Sequence, residues 1–213
     1  MRERPILFNG AMVRAILAGQ KTQTRRAIKP QPFEASFLDA PGQHRPSIDE
    51  DGRLRVATST GVHRLTCPFG QPGDRLWVRE TTVNVEKHGY LGPVYLESEE
   101  GRDCLNFGLA PAPDDMTEVE PHEVTLRPSI HMPRSMCRLL LEITDLRIER
   151  LQAITEADAV AEGLSQTESG SWLPGPCDHP EWAFHQLWAQ VYGEPAWEAN
   201  PWVWVIEFRR CLA

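Results

Sequence analysis

Gly19-Gln20-Lys21-Thr22-Gln23-Thr24-Arg25-Arg26 gathers an amine, two hydroxyls and two guanidiniums into eight residues. Upstream of it, Met12, Val13, Ile16 and Leu17 form one apolar stripe at helical spacing. That stripe predicts a short helix over 10–18, capped by Asn9 and closed by Gly19. A helix packed through such a stripe delivers the turn that follows it to a fixed place on the core. On a helical turn Lys21 and Thr24, three apart, rise from the same face. A threonine beside a desolvated lysine is a nucleophile with its base. The same residues also suit a solvated basic turn at a helix end, where cations meet the negative end of the dipole. The eight residues leave both readings open.

The next informative stretch is Arg75-Leu-Trp-Val-Arg-Glu80, which follows the dense turn Cys67-Pro-Phe-Gly-Gln-Pro-Gly-Asp74. Strand period places Leu76, Val78 and Glu80 on one face and Trp77 and Arg79 on the other. A carboxylate that continues an apolar face must be paired or strongly perturbed. One outcome is a structural ion pair with an arginine. The other is a pocket where Glu80, Lys21 and Thr24 converge as orienter, base and nucleophile.

Elsewhere, Leu139, Leu141 and Ile143 alternate as a half-buried strand, and the parity shifts by one to Leu146 and Ile148. A bulge or corner near Asp145 follows, as a small barrel needs. Thr155-Glu-Ala-Asp158 has capping-box form and starts a short helix ending at Gly163. Asp178-His-Pro-Glu181 starts another, which buries Phe184, Leu187, Trp188 and Val191. Residues 202–208 are apolar on both faces except at Glu207 and read as a central strand. The segments at about 30–66 and 86–127 are rich in Pro, Gly and Asp and read as insertions. The first holds a short strand at 53–57, and the second a hairpin around Val94-Tyr95-Leu96. His131 and Arg134, in the rigid Pro128-Ser-Ile-His-Met-Pro-Arg134 approach, are a proton carrier and a phosphate holder, or a structural histidine and a paired arginine.

With 213 residues the chain is long enough for one well-buried domain plus insertions. Its formal net charge of -8 argues against indiscriminate binding to nucleic-acid backbone. The charge is uneven, however. Residues 1–29 hold seven basic side chains against Glu3 alone, whereas residues 97–123 hold nine acids against Arg102. A local positive site on an acidic protein suits a small anionic or nucleotide-like ligand. No apolar run resembles a signal-peptide core or reaches bilayer-spanning length, so a cytoplasmic protein with no membrane partner is expected. Five widely spaced cysteines with no C-x-x-C pair read as reduced thiols, and no metal site is expected from them.

The Gly-x-Lys-x-x-Thr-x-Arg stretch and the Gly-Asp-x-Leu-x-Val-x-Glu strand resemble the two signature segments of the ASCH superfamily. Leu141-Glu-Ile-Thr-Asp, Glu149 to Ala159, Glu162-Gly163 and Asn200-Pro-Trp-Val-Trp-Val-Ile-Glu-Phe208 extend the likeness, as does Pro128 to Arg134. Together they look like an ASCH protein of the kind often encoded in bacterial prophages, over roughly half the residues; neither insertion is explained by the likeness. The resemblance implies an α+β chain: a small PUA-like mixed β-barrel, 1–213, with a few short peripheral helices and two long insertions. Some ASCH proteins are amidohydrolases that deacylate the exocyclic amine of N4-acetylcytidine. By motif, their catalytic set falls on Lys21, Thr24 and Glu80. On that reading Thr24 attacks the amide, Lys21 takes the proton, Glu80 holds the lysine, and backbone N–H groups of the 22–25 turn hold the oxyanion. Alternatively Thr24 positions a water and Lys21 acts as electrophile. Arg25, Arg26, Trp77, Phe69, His131 and Arg134 are the substrate-binding expectations, with no metal and no cofactor. The expected partner is a modified nucleoside. Single-stranded RNA bound without catalysis is the alternative, and a ribonuclease is a third reading.

Overall fold

The computed structural model describes residues 1–29, 31, 47–49, 53–58, 61–85, 92–113, 115–175 and 177–211. The chain is α+β. In order come β1 (Glu3–Leu7), α1 (Gly10–Leu17), β2 (Gln23–Ala27), β3 (Ser47–Ile48), β4 (Arg53–Thr58) and β5 (Gly61–Thr66). Then follow β6 (Arg75–Arg79), β7 (Thr82–Val85), β8 (Val94–Tyr95), α2 (Glu99–Asn106), β9 (Leu109–Ala112), β10 (Asp115–Glu118) and β11 (Val124–Arg127). The last third holds β12 (Leu140–Arg150), α3 (Glu156–Ala161), α4 (Pro180–Tyr192), α5 (Glu194–Glu198) and β13 (Trp202–Arg210). No helix among the described residues is long and apolar enough to cross a membrane.

The central sheet runs β1-β6-β12-β13-β2, with β1 parallel to β6 and the other neighbours antiparallel. Pro5 lies in β1, at the sheet edge, where its missing N–H costs no ladder bond. The predicted parity flip is a register shift between Ile143 and Asp145. β13 is central, and its two faces serve two cores, which is why it reads as a continuous apolar run. Trp204, Ile206 and Phe208 join the core formed by Ile6, Phe8, Val78, Leu141 and the α1 stripe. Val203 and Val205 join the core under α3 and α4.

No sheet of the described residues closes into a barrel, and β1 and β2 remain as edges. The sheet nonetheless curls until one side chain spans the gap, since Arg26 Nη2 donates to the Leu7 carbonyl at 2.8 Å. The insertions form their own small sheets. β3-β4-β5 lies within the first, and from the second β8 and β11 flank β7, which precedes it, while β9 pairs with β10. Residues 30, 32–46, 50–52, 59–60, 86–91 and 114 of these segments lie outside the described residues.

Helix α1 starts as expected, with the Asn9 side chain accepting from Met12 N–H at 2.9 Å. Asn9→Ala should therefore cost about 1 kcal/mol, read as a lowered urea midpoint at unchanged m-value. Two local expectations need correcting. The residue before α4 is His179, without a side-chain cap, rather than Asp178, and Val191 is exposed rather than buried.

Candidate functional site

Residues 23–27 form a strand, not a turn. The apolar partners on β13 draw this segment into the sheet as an edge strand, and the ladder takes alternate backbone N–H groups of it. Extended backbone points successive N–H groups to opposite sides, so those of 22–25 do not converge on one oxyanion as the expected turn would. Extended geometry also alternates the side chains, so Lys21 and Thr24 do not share a helical face. Thr24 and Arg26 lie opposite Ile206 and Trp204, and Gln23 and Arg25 opposite Glu207 and Val205.

Lys21 is wholly buried. Its Nζ donates to the carbonyls of Gln23 (2.8 Å) and Glu162 (2.7 Å) and to Glu162 Oε2 (2.9 Å). Three acceptors for three hydrogens is the arrangement of an ammonium. Burial lowers its pKa from the ordinary lysine value, Glu162 opposes that shift, and Arg26 and Arg25 add to it. Gly163, at φ +86°, lets Lys21 come this close, since a Cβ there would lie 2.7 Å from Lys21 Cβ.

Arg25 is buried as completely as Lys21. It pairs with Glu149 (3.0 Å), Asp158 (3.2 Å) and Glu162 (3.4 Å). Arg147 extends the network to Glu149, Asp158 and Glu207. Burial pushes the Asp158 carboxyl up, but hydrogen bonds from Thr155 and the charges of Arg25 and Arg147 outweigh it, and the pKa falls below the ordinary value. A depressed carboxylate contributes stability above its unfolded pKa of about 3.9 and loses it as pH falls through the folded value. The urea midpoint should therefore fall on acidification below about pH 4, and fall less steeply in Asp158→Asn.

Thr24 is buried, and its hydroxyl has no hydrogen-bond partner among the described residues. It lines a crevice of ≈ 20 Å³ with Glu162, Arg25 and the α4 side chains Phe184 and Trp188. That is room for about one water molecule.

Of the two outcomes open to Glu80, the structure shows the ion pair with an arginine and not a pairing with Lys21. The Glu80 carboxylate accepts from Arg138 Nη2 (2.7 Å) and Nε (3.1 Å), and the Arg138 guanidinium lies 4.1 Å from the Tyr95 ring centroid. Lys21 has Glu162 in its place. Phe8 and Glu80 follow the register pair Leu7–Arg79, and Lys21 Nζ sits 5.6 Å from the centre of the Phe8 ring.

Beside this arrangement a cleft of ≈ 580 Å³ opens at the edge of β1, lined by Phe8, Asn9, Arg26, Phe69, Arg79 and Tyr192 among others. Phe69 and Arg26, expected at the substrate, are therefore at a cleft. Arg25 is a buried structural cation. Trp77, half-buried, lies beneath the Arg79 guanidinium at 5.4 Å. His131 is exposed on a short turn, and Arg134 is exposed and paired with Glu3 at 2.8 Å. Sequence reasoning gave no role to Glu162, Phe8, Arg138 or Tyr192. Glu162 lies 141 residues from Lys21, and no spacing rule links them.

The five cysteines are free, and Cys67 is sealed in the core. Among the described residues, the grouping that can offer three metal ligands is Glu156, His179 and Glu181, with ligand atoms within 4.8 Å of one another on the surface. No protein-family model, curated protein or solved structure matches the chain.

Proposed function

We propose that this protein is an amidohydrolase that removes an acyl group from the N4 amine of cytidine or a related modified nucleoside. In this reading the curled five-stranded sheet is a PUA-like barrel of ASCH type, with Arg26 as the contact across its open edge. The observation that supports it most is the juxtaposition around Glu162. One carboxylate oxygen takes the desolvated Lys21 ammonium at 2.9 Å, while the side chain shares a water-sized crevice with Thr24.

The chemistry then divides as follows. A water held by Thr24 adds to the acyl carbonyl and gives its proton to Glu162. Lys21 supports the developing oxyanion, exchanging a backbone carbonyl for it, and protonates N4 as the C–N bond breaks. Its burial-lowered pKa makes it a better acid than an exposed lysine. Glu162 returns the proton to Lys21, and the site is restored with cytidine and the free acid released. Glu80, oriented by Arg138, accepts the amide N4–H in the bound substrate.

The test is conversion of N4-acetylcytidine to cytidine, followed by ultraviolet absorbance. Wild type should turn over, and Lys21→Ala, Thr24→Ala and Glu80→Ala should each lose at least about 100-fold in kcat/KM. A folded wild type inert on acetyl and longer acyl substrates would sink the proposal. A second reading, single-stranded RNA binding without catalysis, is favoured by one observation: all three Lys21 hydrogens are already engaged, while the open cleft offers aromatic rings and guanidiniums.

A further inference from the structure

The cleft at the β1 edge is lined by the aromatic side chains Phe8, Phe69 and Tyr192 and by Arg26 and Arg79, with the Arg26 guanidinium 5.4 Å from the centre of the Phe8 ring. Its ≈ 580 Å³ lies within the range of about 300–1,000 Å³ usual for small-molecule sites. No carboxylate lines it among the described residues, although acids outnumber bases 30 to 22 in the chain. Two guanidiniums facing one concavity without an acid between them repel each other, and the repulsion grows as water leaves.

Among the described residues, neither arginine is paired with a carboxylate there. Arg26 uses Nη1 on the Tyr192 hydroxyl (3.2 Å) and Nη2 on the Leu7 carbonyl (2.8 Å), both uncharged acceptors that fix its plane. Arg79 donates Nη2 to the Ile130 carbonyl, and its Nε is buried with no hydrogen-bond partner among the described residues.

A neutral nucleoside fits the aromatic side chains and leaves both cations desolvated and uncompensated. We infer that the cleft takes a nucleoside 5′-monophosphate, its base against Phe69 or Tyr192 and its phosphate held between Arg26 and Arg79. This deepens the nucleoside-directed reading above and rests on it for the choice of base.

Calorimetric titration of the full chain with cytidine 5′-monophosphate and with cytidine tests it. The monophosphate should bind at least 10-fold more tightly, and Arg79→Gln should bring its affinity close to that of cytidine, with the circular dichroism of the folded protein unchanged. Equal affinities in wild type, no binding of either compound, or a preference that survives both Arg79→Gln and Arg26→Gln would overturn the inference. So would a cytidine trinucleotide that binds far more tightly than the monophosphate, because the cleft would then belong to an RNA chain.

Turnover is scored separately, on N4-acetylcytidine and its 5′-monophosphate. A phosphate preference without turnover leaves the nucleotide site standing and removes the hydrolase. Turnover without a phosphate preference does the reverse.

Discussion

Glu162→Ala should destabilise the fold by about 3–5 kcal/mol, the usual result of removing one partner from a buried ion pair. Its carboxylate and carbonyl supply two of the three acceptors around Lys21 Nζ, and its other oxygen faces Arg25. The carbonyl survives the substitution, but the buried ammonium loses its counter-charge. Arg25 keeps Glu149 and Asp158, so Lys21 bears most of the loss. Pairing Glu162→Ala with Lys21→Met removes the stranded charge as well, and the double variant should recover a substantial part of the stability. A double-mutant cycle on urea midpoints reads the coupling directly. Additive losses would mean that the two side chains do not act on each other.

Thr24→Ala should separate function from stability. The hydroxyl makes no hydrogen bond among the described residues, so its removal leaves no partner unsatisfied. The loss should stay near 1 kcal/mol, the order expected for a small buried group. On the hydrolase reading, kcat/KM on N4-acetylcytidine should nonetheless fall about 100-fold or more, because the water in the crevice loses the group that holds it. Thr24→Ser, which keeps the hydroxyl, should retain most of the rate. A threonine serving only to fill the crevice would give the opposite pattern, with serine and alanine equally impaired and stability the larger effect.

Much of the frame was legible locally. The α1 stripe with its Asn9 cap and Gly19 closure, the bulge at Asp145, the capping box at Thr155 and the doubly apolar β13 all follow from spacings of a few residues. In each case the deciding interaction lies within one turn or one strand of the residue that signals it. The segment from Gln23 to Ala27 was misleading for the same reason. Its own residues suit a polar turn, and only the apolar partner strand, some 180 residues later, makes it extended.

The sequence by itself marked Glu80 as a carboxylate continuing an apolar face, and left Lys21 and Thr24 open between a solvated basic turn and a desolvated site. All three are buried. Only the tertiary structure decided their partners. Burying a charge creates a demand for an opposite one, and a chain with 30 acids and 22 bases offers many ways to meet it. Which way is taken depends on the side chain that packing brings within about 3 Å, where charge-assisted hydrogen bonds form. Packing brought Glu162 to Lys21 and Arg138 to Glu80.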